Sequence, residues 1–243
     1  MVKLAGVDLA WQSKRNPTAI AVGGLSGDVL QVSAIHENLF TIDAVHSCLL
    51  SIQNLEGIAI DAPLIIKNQT GQRQCERDLG RQYSARRAPC HTSNLKLYPD
   101  PDSVRLADEL AENGFQHLGN PQQQWQIECY PHPAIIEIFG LSERLKYKKG
   151  RVAEKREGQK IFAGLLRSLE RSALLGLTIP DDLQHFLDDN HIDQLKCKAL
   201  KHNEDALDAI LCLYIAALYQ RGHVESVFGD TSTGYIYVPT VSL

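Results

Sequence analysis

The stretch KLAGVDLAW, residues 3–11, sets an apolar run against a single carboxylate, Asp8. A short run of this kind reads as a buried β-strand with its acid near the C-terminal end. Two more strand-like runs follow, TAIAVGGL (18–25) and VLQVSAIH (29–36), joined by SGD (26–28), which has the glycine and aspartate of a hairpin turn. In TIDAVHSCLLSIQ (41–53), Ile42, Val45, Leu49 and Ile52 fall at helical spacing, and Thr41 suits the N-cap. GIAIDAP (57–63) is another short apolar strand, carrying Asp61 and stopped by Pro63. Reached through a helix, this fourth strand is expected to lie parallel to the first, with the first three forming an antiparallel meander.

The middle of the chain is more polar. Helices are expected around 73–83 and 103–113, with the turn-rich RRAPCHTSNLKLYPDPD between them. WQIECYPHP (125–133) returns to strand character and carries Glu128, and AIIEIFGL (134–141) reads as a short helix. A charged helix from about 151 to 175 is closed by Gly176 and Pro180, and GYIYVP (234–239) reads as a last short strand. NEDALDAILCLYIAAL (203–218) is an apolar helix with Asn203 as N-cap and two aspartates near its start, Asp205 and Asp208.

The chain has 243 residues, of which 44% are hydrophobic, enough for one core. With no linker, repeat or low-complexity tract in view, one domain over 1–243 is expected, with insertions around 64–124 and 141–200. The net charge of −4 gives no global basic signature for nucleic acid. The six cysteines have no metal-type spacing, which argues against zinc and suits a cytoplasmic protein. No apolar run approaches the roughly 20 residues of a membrane span, and the N-terminal run is too short for a signal peptide.

Asp8, Asp61 and Glu128 interrupt strands at similar depth, and Asp205 and Asp208 join them from the late helix. Each has an ordinary explanation. Asp61 precedes Ala-Pro and can begin a turn, Glu128 can pair with an Arg or Lys, and acids in a first helical turn complement the helix dipole by about 0.3–1 kcal/mol. Asp208 is the hardest to explain in that way, since it shares the apolar stripe of Leu211, Cys212 and Ile215. Carboxylates converging at the ends of parallel strands repel one another unless cations join them. Mg²⁺ or Mn²⁺ fits oxygen ligands, and two such ions roughly 4 Å apart clamp an in-line displacement at phosphorus. The positive partner of the acids is therefore expected to be metal and not a Lys or Arg.

The order of these elements resembles the ribonuclease-H-like fold, an α/β mixed five-stranded sheet flanked by helices, here with helical insertions. The paired Asp205 and Asp208 look more like the Holliday-junction resolvase branch than ribonuclease H. More closely, GVDLA, AIDAPL (59–64), CERDLGR (75–81), ECYPHP (128–133), EDALDA (204–209) and GYIYVP resemble the predicted nucleases of domain of unknown function family 429. The resemblance implies a metal-dependent nuclease in which Asp8, Asp61 and Asp208 hold Mg²⁺ or Mn²⁺, with Asp205 as a further metal ligand and Glu128 as a secondary catalytic candidate. No acid of the first helix matches the additional glutamate of ribonuclease H. An actin- or sugar-kinase-like phosphotransfer protein shares the strand order but needs a duplicated domain and a Gly-rich phosphate loop. A non-catalytic nucleic-acid-binding module is the remaining alternative.

Two basic stretches suggest a nucleic-acid partner. One carries Arg73, Arg77, Arg81, Arg86 and Arg87, and the other, 144–160, includes Lys148, Lys149 and Arg156. Arg77, Arg81, Lys148, Lys149 and Arg156 are the candidate contacts, with Tyr83, Tyr98 and Tyr147 as stacking faces. His132 is placed either to shuttle a proton or to cap a turn between prolines. His91, beside Cys90, lacks a matching partner for metal.

Overall fold

The computed structural model describes residues 1–11, 16–223 and 226–240. β1 (Val2–Asp8), β2 (Thr18–Ser26) and β3 (Val29–Leu39) form the expected antiparallel meander. Ser26 pairs with Val29, so the turn between β2 and β3 is the two residues Gly27 and Asp28, with Gly27 at φ +57°. Helix α1 (Ile42–Ser51) starts at Thr41, whose hydroxyl accepts from the Ala44 amide at 3.1 Å. It returns the chain to β4 (Leu55–Asp61), which lies parallel to β1.

Helices α2 (Gln74–Tyr83) and α3 (Asp102–Glu112) follow, then β5 (Gln116–His117), β6 (Trp125–Glu128) and α4 (Pro131–Ile138). Helix α5 (Val152–Ser168) ends in one 3-10 turn at Leu169–Arg171, short of the expected boundary near 175. β7 (Gly176–Thr178), a 3-10 helix at Asp181–Leu187, α6 (Asp189–Gln194), α7 (Cys197–Gln220), β8 (Val227–Asp230) and β9 (Gly234–Tyr237) complete the described elements.

The five expected strands lie side by side as β3-β2-β1-β4-β6, with β4 and β6 parallel to β1. Two edge strands widen the sheet to seven. β5 pairs with β6 and β7 with β3, both in parallel. At two and three residues they are too short to show an alternating pattern. The C-terminal strand β9 pairs with β8 in a separate two-stranded sheet and touches the main sheet through a bridge from Tyr237 to Cys129.

One face of the sheet is covered by α7, supported by α5, and the other by α1 and α3. Eighteen residues of α7 are buried, which explains its near-continuous apolar reading. The helix begins at Cys197, six residues before its expected start. Asn203 is therefore not an N-cap. It lies inside the helix, where its amide donates to Gln159 of α5 at 3.1 Å. Asp205 and Asp208 are then helix-interior residues, and the N-terminal dipole, confined to the first turn, does not account for them.

Close approach of α7 to β1 depends on Gly6. A Cβ there would fall 1.9 Å from the Leu213 nitrogen and 2.4 Å from the Ala209 carbonyl oxygen, both backbone atoms that no rotamer change can move. Gly6→Ala is expected to destabilise the protein by about 3 kcal/mol or more, the upper end for overpacking. Urea unfolding would measure it.

Candidate active site

The parallel register of β1 and β4 sets Asp8 beside Asp61 at the C-terminal ends of adjacent central strands. Helix α7 crosses these strands and brings Asp205 and Asp208, three residues apart on one face, over the same end. Asp208 is fully buried. Its Oδ1 accepts from the Tyr147 hydroxyl at 2.6 Å. Asp205, 3% exposed, lies within hydrogen-bonding reach of the Asp8 carboxylate, and its Oδ1 accepts from Lys201. The Oδ2 atoms of Asp205 and Asp208 are buried and receive no hydrogen bond among the described residues.

The cationic partners differ from expectation. Lys148 Nζ lies 2.9 Å from Asp208 Oδ2 and 4.0 Å from Asp61 Oδ2. The Asp208 contact is an ion pair without hydrogen-bond alignment, which reconciles it with an oxygen that receives no hydrogen bond. Lys201 pairs with Glu204 at 2.9 Å and with Asp205. The acids thus meet two lysines, contrary to the reading that only metal would face them. Lys148 comes from a loop 60 residues away in sequence, so local pattern could not place it in the site.

Burial dominates the protonation of the cluster. It pushes Asp205 up to about 9, helped by Asp8 and opposed by Lys201. It pushes Asp208 up to about 6, opposed by Lys148 and helped by Asp8. Asp61 is also held well above the ordinary carboxylate range by burial, which Lys148 only partly offsets. For Lys148, burial works against the charge, but Asp208, Tyr147, Asp8 and Asp61 outweigh it and hold its pKa well above normal.

The sign of the stability change follows from these shifts. Below about pH 3.8 the aspartates are neutral folded or unfolded, and they make no difference. Above that the unfolded chain ionises first, so stability falls until about pH 6 for Asp208 and about pH 9 for Asp205. Lys148 and Lys201 are raised, so their contribution is fully present throughout this window. The metal-free protein is therefore expected to melt at lower temperature at pH 9 than at pH 5. In a chain of this size each ~1 kcal/mol lost lowers Tm by about 2–4 °C. Differential scanning calorimetry in chelator checks this.

Glu128, at the end of β6, is partnered by Arg73 and not by the lysines of the other acids. Its Oε1 and Oε2 receive Arg73 Nη2 at 2.5 Å and Nη1 at 2.8 Å, and Oε2 also takes the Leu64 amide at 2.9 Å. Both oxygens are occupied, so the pairing expected as its ordinary explanation is present. Arg73 is itself 3% exposed and removed from any surface patch.

The other basic candidates divide. Arg81 pairs with Asp78 at 2.6 Å, Arg77 bonds Gln72 and Gln74, and Arg156 donates to the Leu195 carbonyl at 2.6 and 3.0 Å. None of the three lines the cleft that holds Asp8 and Asp61. Lys148 and Lys149, with Arg144 and Lys146, instead line a cleft of about 510 Å³ whose floor includes Asp8 and Asp61. Trp11, Tyr130 and His132 form other parts of its lining. Of the expected stacking tyrosines, Tyr83 and Tyr147 are fully buried, and Tyr98 lies edge-on to Trp11 at 5.7 Å. Sequence reading missed Trp11, which follows the Asp8 strand directly, and Tyr130, which follows the Glu128 strand. Burial, then nearby Lys148 and Arg144, holds His132 down to about 3, so it is neutral at ordinary pH.

No group of three His, Cys, Asp or Glu side chains among the described residues is disposed to enclose a metal ion. Two features nevertheless suit one hard divalent cation. The Asp205 carboxyl lies within hydrogen-bonding reach of Asp8, and two carboxyl groups so placed need either a shared proton or a cation. The buried Oδ2 of Asp205 receives no hydrogen bond among the described residues. Mg²⁺ often takes only one or two protein carboxylates, the remaining positions going to water and substrate phosphate.

The strand order β3-β2-β1-β4-β6, with β2 antiparallel to its neighbours and α7 laid across the acidic strand ends, defines a protein of ribonuclease-H-like α/β fold. The chain belongs to the family described as Protein of unknown function (DUF429), whose model matches residues 6–233. No curated protein matches the chain. Among solved structures, it is similar to a chain of the Fowlpox virus resolvase in complex with its substrate Holliday junction DNA. That match has 10% identity, covers 91% of this chain and 98% of the viral one, and has a TM-score of 0.36. The overlap is too loose to carry residue roles from one to the other.

Proposed function

We propose that this protein is a metal-dependent nuclease that hydrolyses phosphodiester bonds in nucleic acid. The observation that carries the reading is the meeting of Asp8, Asp61, Asp205 and Asp208, from two strands and one helix, with Asp8 and Asp61 lining a basic cleft and the two helix acids buried behind them. Four clustered carboxylates remain costly to fold even beside two lysines, and they are what a site for cations and phosphate requires. Asp8 and Asp205 would hold Mg²⁺ or Mn²⁺, with Asp208 and Asp61 facing the same space. A bound ion of this kind lowers the pKa of water and polarises the phosphoryl oxygen.

The chain's own residues supply the rest. Arg144, Lys146 and Lys149 attract and orient the phosphodiester as it enters the cleft. Trp11 and Tyr130 offer aromatic faces for a base on the adjoining wall. In the reaction water forms a bond to phosphorus, the ester bond to one sugar oxygen breaks, and that oxygen leaves with a proton. Tyr147 locks Asp208 by its hydrogen bond and keeps that carboxylate from turning away. A cleft of about 510 Å³ lies in the size range of small-ligand pockets and suits one unpaired nucleotide. No glycine lines the cleft among the described residues, which disfavours a phosphotransfer protein with a Gly-rich phosphate loop.

The test is a cleavage assay on single-stranded, duplex and branched DNA and RNA in Mg²⁺, in Mn²⁺ and in chelator. Cutting at unpaired positions that stops in chelator is the expected result. Cutting that persists in chelator, or none on any substrate with either ion, would overturn the reading.

A further inference from the structure

Resting on that nuclease reading, we infer that the Lys148 ammonium is the second cation of the site, standing where a two-ion phosphodiesterase would place its second metal. The protein then binds one divalent ion, by Asp8 and Asp205, and neutralises the rest of the cluster with its own side chain.

The first ground is position. Lys148 Nζ lies between Asp61 and Asp208, 4.0 and 2.9 Å from their Oδ2 atoms, and these carboxylates come from different elements facing one space. This is the bridging place a second ion would take. An ammonium there supplies one positive charge between the two carboxylates.

The second ground is that the lysine's backbone is clamped. The preceding residue, Tyr147, is fully buried. Its ring packs against Phe162 at 4.8 Å and His132 at 5.6 Å, while its hydroxyl is held by Asp208. One residue earlier, the Lys146 carbonyl sits so close to α5 that a Cβ on Gly158 would fall 2.0 Å from its oxygen. Residues 146–147 are thus locked between α5 and α7, and Lys148 leaves that anchor with its reach already set. A surface lysine drawn in by loose charge would have no such fixation.

The third ground is access. The Lys148 side chain is 25% exposed and lines the cleft beside Asp8 and Asp61. Its ammonium can therefore touch a phosphate in the cleft without leaving the acids. An ammonium has three donors, and the acids leave at least one for a phosphoryl oxygen. Its charge then offsets the negative charge that grows on the phosphate as water adds.

The experiment counts ions by titrating full-length protein with Mn²⁺, reading free Mn²⁺ by electron paramagnetic resonance and heat by calorimetry. The wild-type protein is expected to bind one ion at this site. Lys148→Met, which keeps the chain length and removes the charge, is expected to bind two. Lys148→Gln serves if the methionine variant fails its thermal melt. Two ions in wild-type protein would overturn the inference and leave the nuclease reading standing. So would one ion in wild type and in a folded variant alike. Absence of both ion binding and cleavage in wild type would overturn the nuclease reading itself and this inference with it.

Discussion

Arg73→Ala is expected to cost about 3–5 kcal/mol, enough to leave a protein of ordinary stability largely unfolded at 37 °C. Arg73 is 3% exposed and serves two buried carboxylates, Glu128 through both terminal nitrogens and Glu76 through Nε at 2.8 Å. Its Nη1 also donates to the Ile65 carbonyl at 3.1 Å. Glu76 in turn accepts from the backbone amides of Arg73 and Ser93, tying α2 to the loop that follows it. Removing the guanidinium strands two acids away from water. Burial already pushes Glu128 above its ordinary pKa even with Arg73 present, so without it the acid must protonate or the segment must open. Arg73→Lys is expected to recover only part of the loss, because an ammonium cannot reproduce the planar fork. Guanidinium unfolding of wild type and the two variants measures both effects.

Asp8→Asn is expected to behave in the opposite way. Cleavage should fall by at least about 1,000-fold, since losing an ion-holding carboxylate forfeits several kcal/mol of transition-state stabilisation. Stability should hold or rise, because the substitution relieves the contact between Asp8 and the buried Asp205. A carboxylate whose loss destroys activity and spares the fold is placed for chemistry, whereas Arg73 is placed for structure. Parallel melts and single-turnover assays on Asp8→Asn distinguish the two. A variant that loses activity only by unfolding would contradict this assignment.

The contrast between Glu128 and the aspartates shows what the sequence could carry. Both interrupt apolar runs, and in one dimension they look alike. Asp8 and Asp61 were legible because the strand-helix-strand unit imposes parallel pairing, and parallel pairing brings equivalent strand ends together. Asp208 was legible because a polar residue on an otherwise buried stripe needs a reason. Glu128 was set apart as a secondary candidate that could pair with an Arg or Lys, but its partner could not be named, because Arg73 lies 55 residues away and reads locally as one member of a basic helical face. The pairing of Lys148 with the acids was not legible for the same reason. A lysine among KYKKGR looks like solvated charge until the fold brings that loop over α7. The start of α7 was missed because the polar CKALKH (197–202) carries little apolar periodicity, and the extra turns are held by packing on α5 through Gln159 and Asn203. The meander, Thr41 and β4 were read correctly since their signals are local.

The most direct test of the cation site is a crystal of the wild-type protein soaked in millimolar Mn²⁺ and measured at a wavelength that reveals manganese. One anomalous peak bounded by Asp8 and Asp205, with Lys148 Nζ still between Asp61 and Asp208, is the expected result. No anomalous density among the four aspartates would contradict the account.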